Sequence, residues 1–293
     1  MAEYALIVSA DLNYLCGINA LLNSLDFSKS MVPVHILTTD IPKDYQKATQ
    51  CFNYPVVWHN YITKDPLQFL LRKRFVLPAE IGVDAVCILD ADMFVLDRLN
   101  PYLEIADKTG YILGCGQEQK RKYNEPEHMF KGKYIIDPEL INLKDICAAP
   151  LFVGKKWYET LSLSAERYLN YLEPWTANDM DALNITLVEQ GADKWIISLP
   201  QQVWTGLHES MLKLHSRAVE RHDRLFTDDG QQIMIVHGRY WQPEWIAYQM
   251  WNQKKMIDEV LQGSLPYNRR SYESMQILVQ WWNKMNEYKL SFE

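Results

Sequence analysis

Short apolar runs alternate with segments of helical apolar spacing along the first hundred residues. Runs long enough for buried strands lie at 4–9, 34–37, 55–58 and 86–89. Apolar residues recur at helical spacing between them, at 15–25, 42–52 and 66–78. Continuous apolar strands that alternate with helices are typical of a parallel sheet covered by helices on both faces. The sequence therefore predicts an α/β fold.

The pattern is less regular after Asp97. It predicts further strands at 111–115, 148–153, 195–199 and 233–236. It predicts helices at 99–106, 157–172, from 176 onward, and at 208–225, 245–261 and 271–287. Residues 117–138 are polar without a period, which indicates a long loop, and Pro150 indicates an edge position or a bulge for its strand. A soft boundary at 263–266 divides the chain into a domain of residues 1–263 and a helical extension of residues 264–293.

Composition narrows the classes of function. The chain has 293 residues, 48% of them hydrophobic, which is ample for a core. A net charge of −7 argues against nucleic acid as a partner. We expect a cytoplasmic protein, because no apolar stretch reaches the roughly 18 residues of a membrane span and no secretory leader is evident. The five scattered cysteines agree with this expectation, since they predict free thiols of a reducing compartment.

The most informative stretch is Val-Cys-Ile-Leu-Asp-Ala-Asp-Met-Phe-Val at 86–95. Asp90 and Asp92 follow a buried strand, at the sheet edge where open α/β folds bind ligands. Residues two apart in extended chain point the same way, so both carboxylates could bind one divalent cation. The simpler interpretation is an acidic turn after a strand.

His237 and Gly238 follow a second buried run, at 233–236. Neutral imidazole is a common metal ligand, whereas the alternative is an ordinary loop histidine. Asp90, Asp92 and His237, completed by waters or phosphate oxygens, would suit Mn²⁺ or Mg²⁺. No cysteine and histidine spacing typical of zinc occurs.

Two further polar segments are candidates for substrate binding. The first follows the opening strand, where α/β proteins hold a base or ribose, and comprises Ser9, Ala10, Asp11, Asn13 and Tyr14. The alternative is that Asp11 or Asn13 caps the next helix. The second begins at Asp179, which could bind sugar hydroxyls or cap a helix. The glycine-rich loops of dinucleotide-binding and P-loop proteins are absent.

Taken in order, these segments resemble the motifs of retaining glycosyltransferases of family 8, which include glycogenin and bacterial lipooligosaccharide galactosyltransferases. The resemblance covers residues 4–245 and rests on SADLNY at 9–14, RFVLP at 74–78, ILDAD at 88–92, DMDALN at 179–184, and VHG with QPEW at 236–245. It implies the GT-A fold, with a Rossmann-like, mixed and mainly parallel sheet flanked by helices. It also implies metal-dependent hexosyl transfer from a nucleoside-diphosphate donor, expected to be a UDP-sugar, to a glycan, protein or other acceptor.

The resemblance also assigns roles to individual residues. The metal ligands would be Asp90, Asp92 and His237, with Asp92 closest to the phosphates. The uridine would lie against Ser9, Ala10, Asp11, Asn13 and Tyr14. The donor sugar and diphosphate would be contacted by Arg74, Asp179, Ala91, Gly238 and Gln242. Arg74, Asp92 and Asp179 are therefore the expected catalytic residues.

Three departures from the family pattern bear on mechanism. Met180 replaces a glutamine beside the donor sugar, Cys147 begins the segment that replaces Asn-Ala-Gly, and Gln242 replaces a lysine. Arg239, Lys155 or Arg121 could supply the lost positive charge. Retention requires a carboxylate nucleophile or front-face attack within an ion pair, and Met180 cannot be a nucleophile. We therefore expect front-face attack, with Asp179 as the alternative nucleophile if the geometry allows.

Other classes of protein fit less well. A haloacid-dehalogenase-type phosphatase requires threonine where Phe94 stands, and its motif normally follows the first strand. A nucleotidyltransferase normally carries a glycine-rich, basic opening loop, which is absent. The main alternative is a GT-A-like nucleotide-sugar-binding or scaffold protein without activity, suggested by Met180 and Gln242. For Trp281 and Trp282 we expect a place in the core rather than stacking on sugars.

Overall fold

The computed structural model describes residues 2–116, 146–171, 179–204, 218–239, 242 and 268–291. The chain divides into two compact units. The first contains Met1–Leu12, Val32–Asp90 and Leu99–Leu199, and the second contains Asn13–Met31, Ala91–Arg98 and Pro200–Glu293. Within the described ranges, no helix is both long and apolar enough to cross a membrane.

Strands and helices are numbered along the chain. The strands are β1 Tyr4–Ser9, β2 Val34–Thr38, β3 Val56–Asn60, β4 Ala85–Asp90, β5 Met93–Val95, β6 Ile112–Gly116, β7 Ile146–Gly154, β8 Ile196–Leu199, β9 Val219–Arg221, β10 Arg224–Phe226 and β11 Ile235–His237. The helices are α1 Leu15–Ser28, α2 Lys43–Ala48, α3 Pro66–Ile81, α4 Asn100–Thr109, α5 Tyr158–Tyr171, α6 Asp179–Glu189, α7 Gln201–Trp204 and α8 Asn268–Glu287.

The first unit is built on a seven-stranded sheet with the order β3-β2-β1-β4-β7-β6-β8. All pairings are parallel except those of β7, which runs antiparallel to β4 and β6. The inner strands are apolar and buried, and side chains from α3, α5 and α6 complete one core, including Phe75, Leu161 and Leu183. The predicted mixed, mainly parallel sheet flanked by helices is confirmed.

Pro150 lies in a strand in the middle of this sheet, so the prediction of an edge strand is wrong. The register between β6 and β7 shifts between Gly114 and Gly116, which agrees with the alternative of a bulge or a similar irregularity in the ladder. Gly114 pairs with Leu151 and Gly116 with Ile146, so Pro150 falls within the irregular part of the ladder. Proline has no N–H to donate, which makes a bulge compatible with its central position.

The second unit combines helices with two short antiparallel strand pairs, β5 with β11 and β9 with β10. Its core includes Phe94, Leu225 and Met285 together with Trp281 and Trp282 of α8. Both tryptophans are only 2% exposed, which confirms their expected place in the core. Helix α8 packs against α1, where Asn19 and Asn23 are also fully buried.

The helix predicted at 208–225 is wrong where the structure describes it. Residues 219–226 form a hairpin whose turn residues, His222 and Asp223, have φ values of 50° and 57°. Two consecutive left-handed residues are typical of a two-residue hairpin turn and cannot occur inside a helix. Other predictions lie outside the described residues, namely the loop at 117–138, the helix at 245–261 and the boundary at 263–266. The division at 263 stays a prediction.

Candidate metal and nucleotide site

The strands β1 and β4 end side by side at the carboxyl edge of the sheet. They are parallel and in register, so Ser9 lies directly opposite Asp90. The Ser9 hydroxyl donates to the carbonyl of Leu70 at 3.1 Å, and the Ala10 N–H donates to the carbonyl of Leu37 at 2.9 Å. Ser9 and Ala10 therefore hold this edge together, and the edge presents the end of β4 as the sequence predicted.

The polar residues after β1 lead into a short 3-10 helix, and α1 begins after it. Leu12–Tyr14 is a short 3-10 helix, and the N–H of Leu12 donates to Asp40 at 2.8 Å. Helix α1 has Tyr14 at its N-cap position without a side-chain capping bond, so the interpretation of Asp11 or Asn13 as the N-cap is wrong. Asp11 is half-buried and Asn13 is exposed. Their role in nucleotide binding stays a prediction.

Arg74 connects two of the predicted site residues within the first unit. Its side chain is buried on α3, and it donates to Asp90 at 2.6 Å and also to Asp179. Burial alone would lower the pKa of Arg74, but the two carboxylates outweigh it and raise the pKa, so the guanidinium stays charged. Its Nε is buried and has no hydrogen-bond partner among the residues that the structure describes. Arg74 thus fixes the end of β4 and the start of α6 at once.

Asp179 and Asn184 give the start of α6 its local structure. The second carboxylate oxygen of Asp179 accepts from the N–H of Met180 at 3.0 Å, while Met180 itself packs in the apolar core. Asn184, in the same predicted motif, accepts from the N–H of Ile146 at 3.0 Å and donates to its carbonyl at 2.9 Å. This structural role of Asn184 does not follow from the motif alone, although a polar residue on an apolar helix face indicates a buried hydrogen-bond partner.

Asp92 and His237 are brought together within the second unit. Strand β11 pairs with β5 so that His237 lies opposite Met93, and the N–H of Gly238 donates to the carbonyl of Asp92 at 2.8 Å. The Nε2 atom of His237 lies 3.1 Å from Oδ1 of Asp92. Burial alone would raise the pKa of Asp92, but His237 and, less strongly, Arg239 reverse this and lower it. Asp92 is therefore held as a carboxylate, the form that binds a cation.

Asp90 offers a third candidate ligand beside this pair. It precedes Asp92 by two residues, with buried Ala91 between them, so chain connectivity keeps the two carboxylates close together. One ligand atom from each of Asp90, Asp92 and His237 lies within 4.8 Å of the other two. No other group of three acidic, histidine or cysteine residues within the described ranges has this spacing. Two carboxylates and one imidazole fit a Mn²⁺ or Mg²⁺ ion in chemical type.

Arg239 follows this group in the second unit. Its Nε lies 3.9 Å from Oδ2 of Asp92, and its guanidinium carbon lies 5.2 Å from the centre of the Tyr14 ring. The side chain is 43% exposed. The N–H of Gln242 donates to the carbonyl of Arg239 at 3.0 Å.

No protein-family profile and no curated protein sequence matches this chain, whereas solved glycosyltransferase structures do. Galactosyltransferase LgtC in complex with donor and acceptor sugar analogs has a TM-score of 0.56 at 16% identity, over 89% of this chain and 97% of that one. An active-site mutant of LgtC gives 0.57 at 15% identity, over 92% and 99%. GlyE from Streptococcus pneumoniae TIGR4 gives 0.51 at 16% identity, and the match covers 82% of this chain but only 57% of GlyE.

These likenesses identify the class of fold. The first unit's mixed seven-stranded sheet, with a carboxylate at the end of β4, belongs to the GT-A fold that the LgtC structures share. At identities of 15% and 16% the likeness establishes the fold and not the substrates.

Proposed function

We propose that this protein is a metal-dependent glycosyltransferase of the family 8 type, which transfers a hexose from a nucleoside-diphosphate donor, a UDP-sugar, with retention of configuration. The observation that carries the proposal is the proximity of Asp90, Asp92 and His237 in a GT-A fold, with Asp90 at the end of β4. LgtC, which shares the fold, has been solved with donor and acceptor sugar analogs, which supports a nucleotide sugar as the donor. The acceptor is a hydroxyl of a glycan, protein or other molecule.

Asp90, Asp92 and His237 would hold the cation, Mn²⁺ or Mg²⁺. When bound, the ion stabilises the negative charge that develops on the departing diphosphate. The low pKa of Asp92 keeps its carboxylate ionised and ready to bind. The N–H of Gly238 and the backbone of Asp92 are already bonded to each other, so β5 and β11 hold both side chains in place.

The base and ribose would be held at the end of β1. Asp11 can accept a hydrogen bond from a base N–H or a ribose hydroxyl, and Asn13 can both donate and accept. Ser9 and Ala10 give the strand end its position through their bonds to Leu70 and Leu37. Tyr14 offers an aromatic face for the base or ribose.

The donor sugar would lie near Arg74 and Asp179. One oxygen of Asp179 bonds Arg74 and the other accepts from the N–H of Met180, so the carboxylate is fixed in place. A fixed carboxylate suits hydrogen bonding to sugar hydroxyls better than attack on the anomeric carbon. Met180 lies in the core and offers no nucleophile. Both observations support front-face attack, in which the acceptor hydroxyl approaches from the side of the leaving group.

A second candidate function is nucleotide-sugar binding without transfer. The observation that favours it is the position of Met180 in the apolar core, where no polar atom is offered to the sugar. The two functions share the metal site and differ in turnover alone.

Nucleotide sugars incubated with and without Mn²⁺ test the proposal. Wild-type protein should release UDP from at least one of the UDP-sugars, and this release should require Mn²⁺. The variants Asp92→Asn and His237→Ala should each lose most of this activity. Asp44→Asn serves as a control, because the Asp44 side chain is 98% exposed. Metal-dependent binding without release of UDP would favour the second candidate. Full activity in both site variants would contradict the metal assignment.

A further inference from the structure

The predicted site has too little positive charge for its substrate. A divalent cation would only balance the two carboxylates of Asp90 and Asp92, and the donor adds about two further negative charges on its diphosphate at neutral pH. The net charge of the chain is −7, so no overall field attracts the donor either. A fixed cation beside the metal ligands is therefore needed, and Gln242 carries no charge.

Lys155, Arg74 and Arg121 are less suitable than Arg239 as the source of this charge. The N–H of Lys155 donates to the carbonyl of Asp84, at the opposite end of β4 from Asp90. Five residues of extended chain separate the two ends, which is roughly 17 Å. Arg74 is buried and its two terminal nitrogens already bond Asp90 and Asp179. Arg121, the third replacement that the sequence suggested, lies outside the described residues.

We propose that Arg239 binds the diphosphate of the donor and stabilises it as it leaves, an inference that rests on the proposed function. Its Nε is 3.9 Å from Asp92, too long for a strong hydrogen bond, so its donors are not consumed by this contact. The guanidinium carbon lies 5.2 Å from the centre of the Tyr14 ring, within the range of a cation–π contact. The outer nitrogens of a half-exposed guanidinium form a fork that matches two phosphate oxygens.

Arg239 would act in the step that transfers the sugar from the diphosphate to the acceptor. The bond between the anomeric carbon and the diphosphate oxygen breaks, and its electron pair stays on that oxygen. The acceptor oxygen bonds the anomeric carbon, and its proton passes to the departing phosphate oxygen. Arg239 would contact the phosphate oxygens throughout, and its attraction grows as the charge on the diphosphate grows.

Nucleotide binding separates this role from a structural one. Calorimetry in Mn²⁺ would compare UDP, UMP and uridine as ligands of wild type, Arg239→Gln, Arg239→Lys and the control Arg221→Gln, which removes the same charge from an exposed site on β9. Arg239→Gln should weaken UDP binding about 10- to 100-fold and leave uridine within about twofold. Arg239→Lys should recover part of the loss, because it restores charge without the fork.

The possible results distinguish the two proposals. Equal UDP affinity in wild type and Arg239→Gln would overturn the assignment of Arg239 and leave the transferase proposal intact. An equal loss for UDP, UMP and uridine would also overturn it, since that result indicates damage to the site as a whole. Failure of wild type to bind any nucleotide in Mn²⁺ would overturn both. The unfolding midpoint of each variant shows whether the fold has been kept.

Discussion

The guanidinium of Arg74 lies 2.6 Å from the carboxylate of Asp90, so a buried arginine on α3 fixes the first predicted metal ligand. The same guanidinium bonds Asp179, the residue expected to bind the donor sugar. One cation therefore sets the positions of two carboxylates with different expected tasks. The two bonds of Arg74 therefore hold this part of the predicted site in a defined geometry within the first unit.

Replacement of Arg74 should strongly destabilise the protein. Arg74→Met keeps much of the apolar stem but leaves Asp90 and Asp179 without their cation, and removal of one partner of a buried ion pair costs about 3–5 kcal/mol. Because the Asp90 side chain is 31% exposed, the lower end of that range is expected. Urea denaturation measures the loss. Adding Asp179→Asn to Arg74→Met should recover part of it, whereas an unchanged midpoint in Arg74→Met would show that the ion pairs contribute nothing.

The segment that follows α8 is bonded to two buried asparagines of α1, Asn19 and Asn23. Asn23 donates to the carbonyl of Leu290 at 2.8 Å and accepts from the N–H of the same residue at 2.9 Å. Asn23→Ala would remove the acceptor of the Leu290 N–H, whereas the Leu290 carbonyl would keep its bond from Asn19 at 2.8 Å. We expect a cost of about 1–3 kcal/mol. Hydrogen exchange should show faster exchange of the Leu290 amide, and thermal unfolding should shift down. Asn53→Ala, at an exposed position, should change stability by less than about 0.5 kcal/mol.

Protonation of His35 should contribute to a fall in stability between pH 6.5 and pH 4, and the pKa of His59 is lowered by burial in the same direction. Burial lowers the pKa of His35 from 6.5 to about 4, helped by the neighbouring His59, whose Nε2 lies 3.0 Å from Nδ1 of His35. The unfolded chain binds a proton at His35 below pH 6.5 and the folded chain does not, so the free energy of unfolding decreases as the pH falls through this window. His35 is partly solvated, so we expect about 1 kcal/mol.

The variant His35→Gln isolates this contribution. Unfolding midpoints of wild type and His35→Gln, measured from pH 7 to pH 4, should show a shallower decrease in the variant. Parallel curves would assign the acid sensitivity to other groups. The lowered pKa of Asp92 predicts a separate loss of stability as the pH falls below the ordinary pKa of an aspartate.

The positions of many strands of the sheet could be predicted from the sequence, because buried strands consist of short apolar runs. The run at 4–9 became β1 with the same bounds, and the run ending at Asp90 became β4. The position of β7 in the sheet was harder to predict, because Pro150 indicated an edge strand whereas β7 is central. A single proline is tolerated there through a register shift, which depends on the neighbouring strand and not on local sequence.

The site was only partly accessible to sequence reasoning. Asp90 and Asp92 are two residues apart, so their proximity follows from local geometry, whereas His237 reaches Asp92 through the pairing of β11 with β5. The bond from Arg74 to Asp179 spans 105 residues and has no local pattern. The hairpin at 219–226 was missed because its charged turn residues also fit a solvent-exposed helix.

Manganese binding tests the central claim most directly. Titration of Mn²⁺ into protein with UDP, followed by electron paramagnetic resonance, should show one bound ion per chain in wild type. Asp92→Asn and His237→Gln should each weaken the affinity at least about 10-fold, since each removes one of three protein ligands. Asp44→Asn should bind as wild type does, and EDTA should abolish the stabilisation by UDP. Unchanged Mn²⁺ affinity in both Asp92→Asn and His237→Gln would contradict the claim that these side chains share a cation.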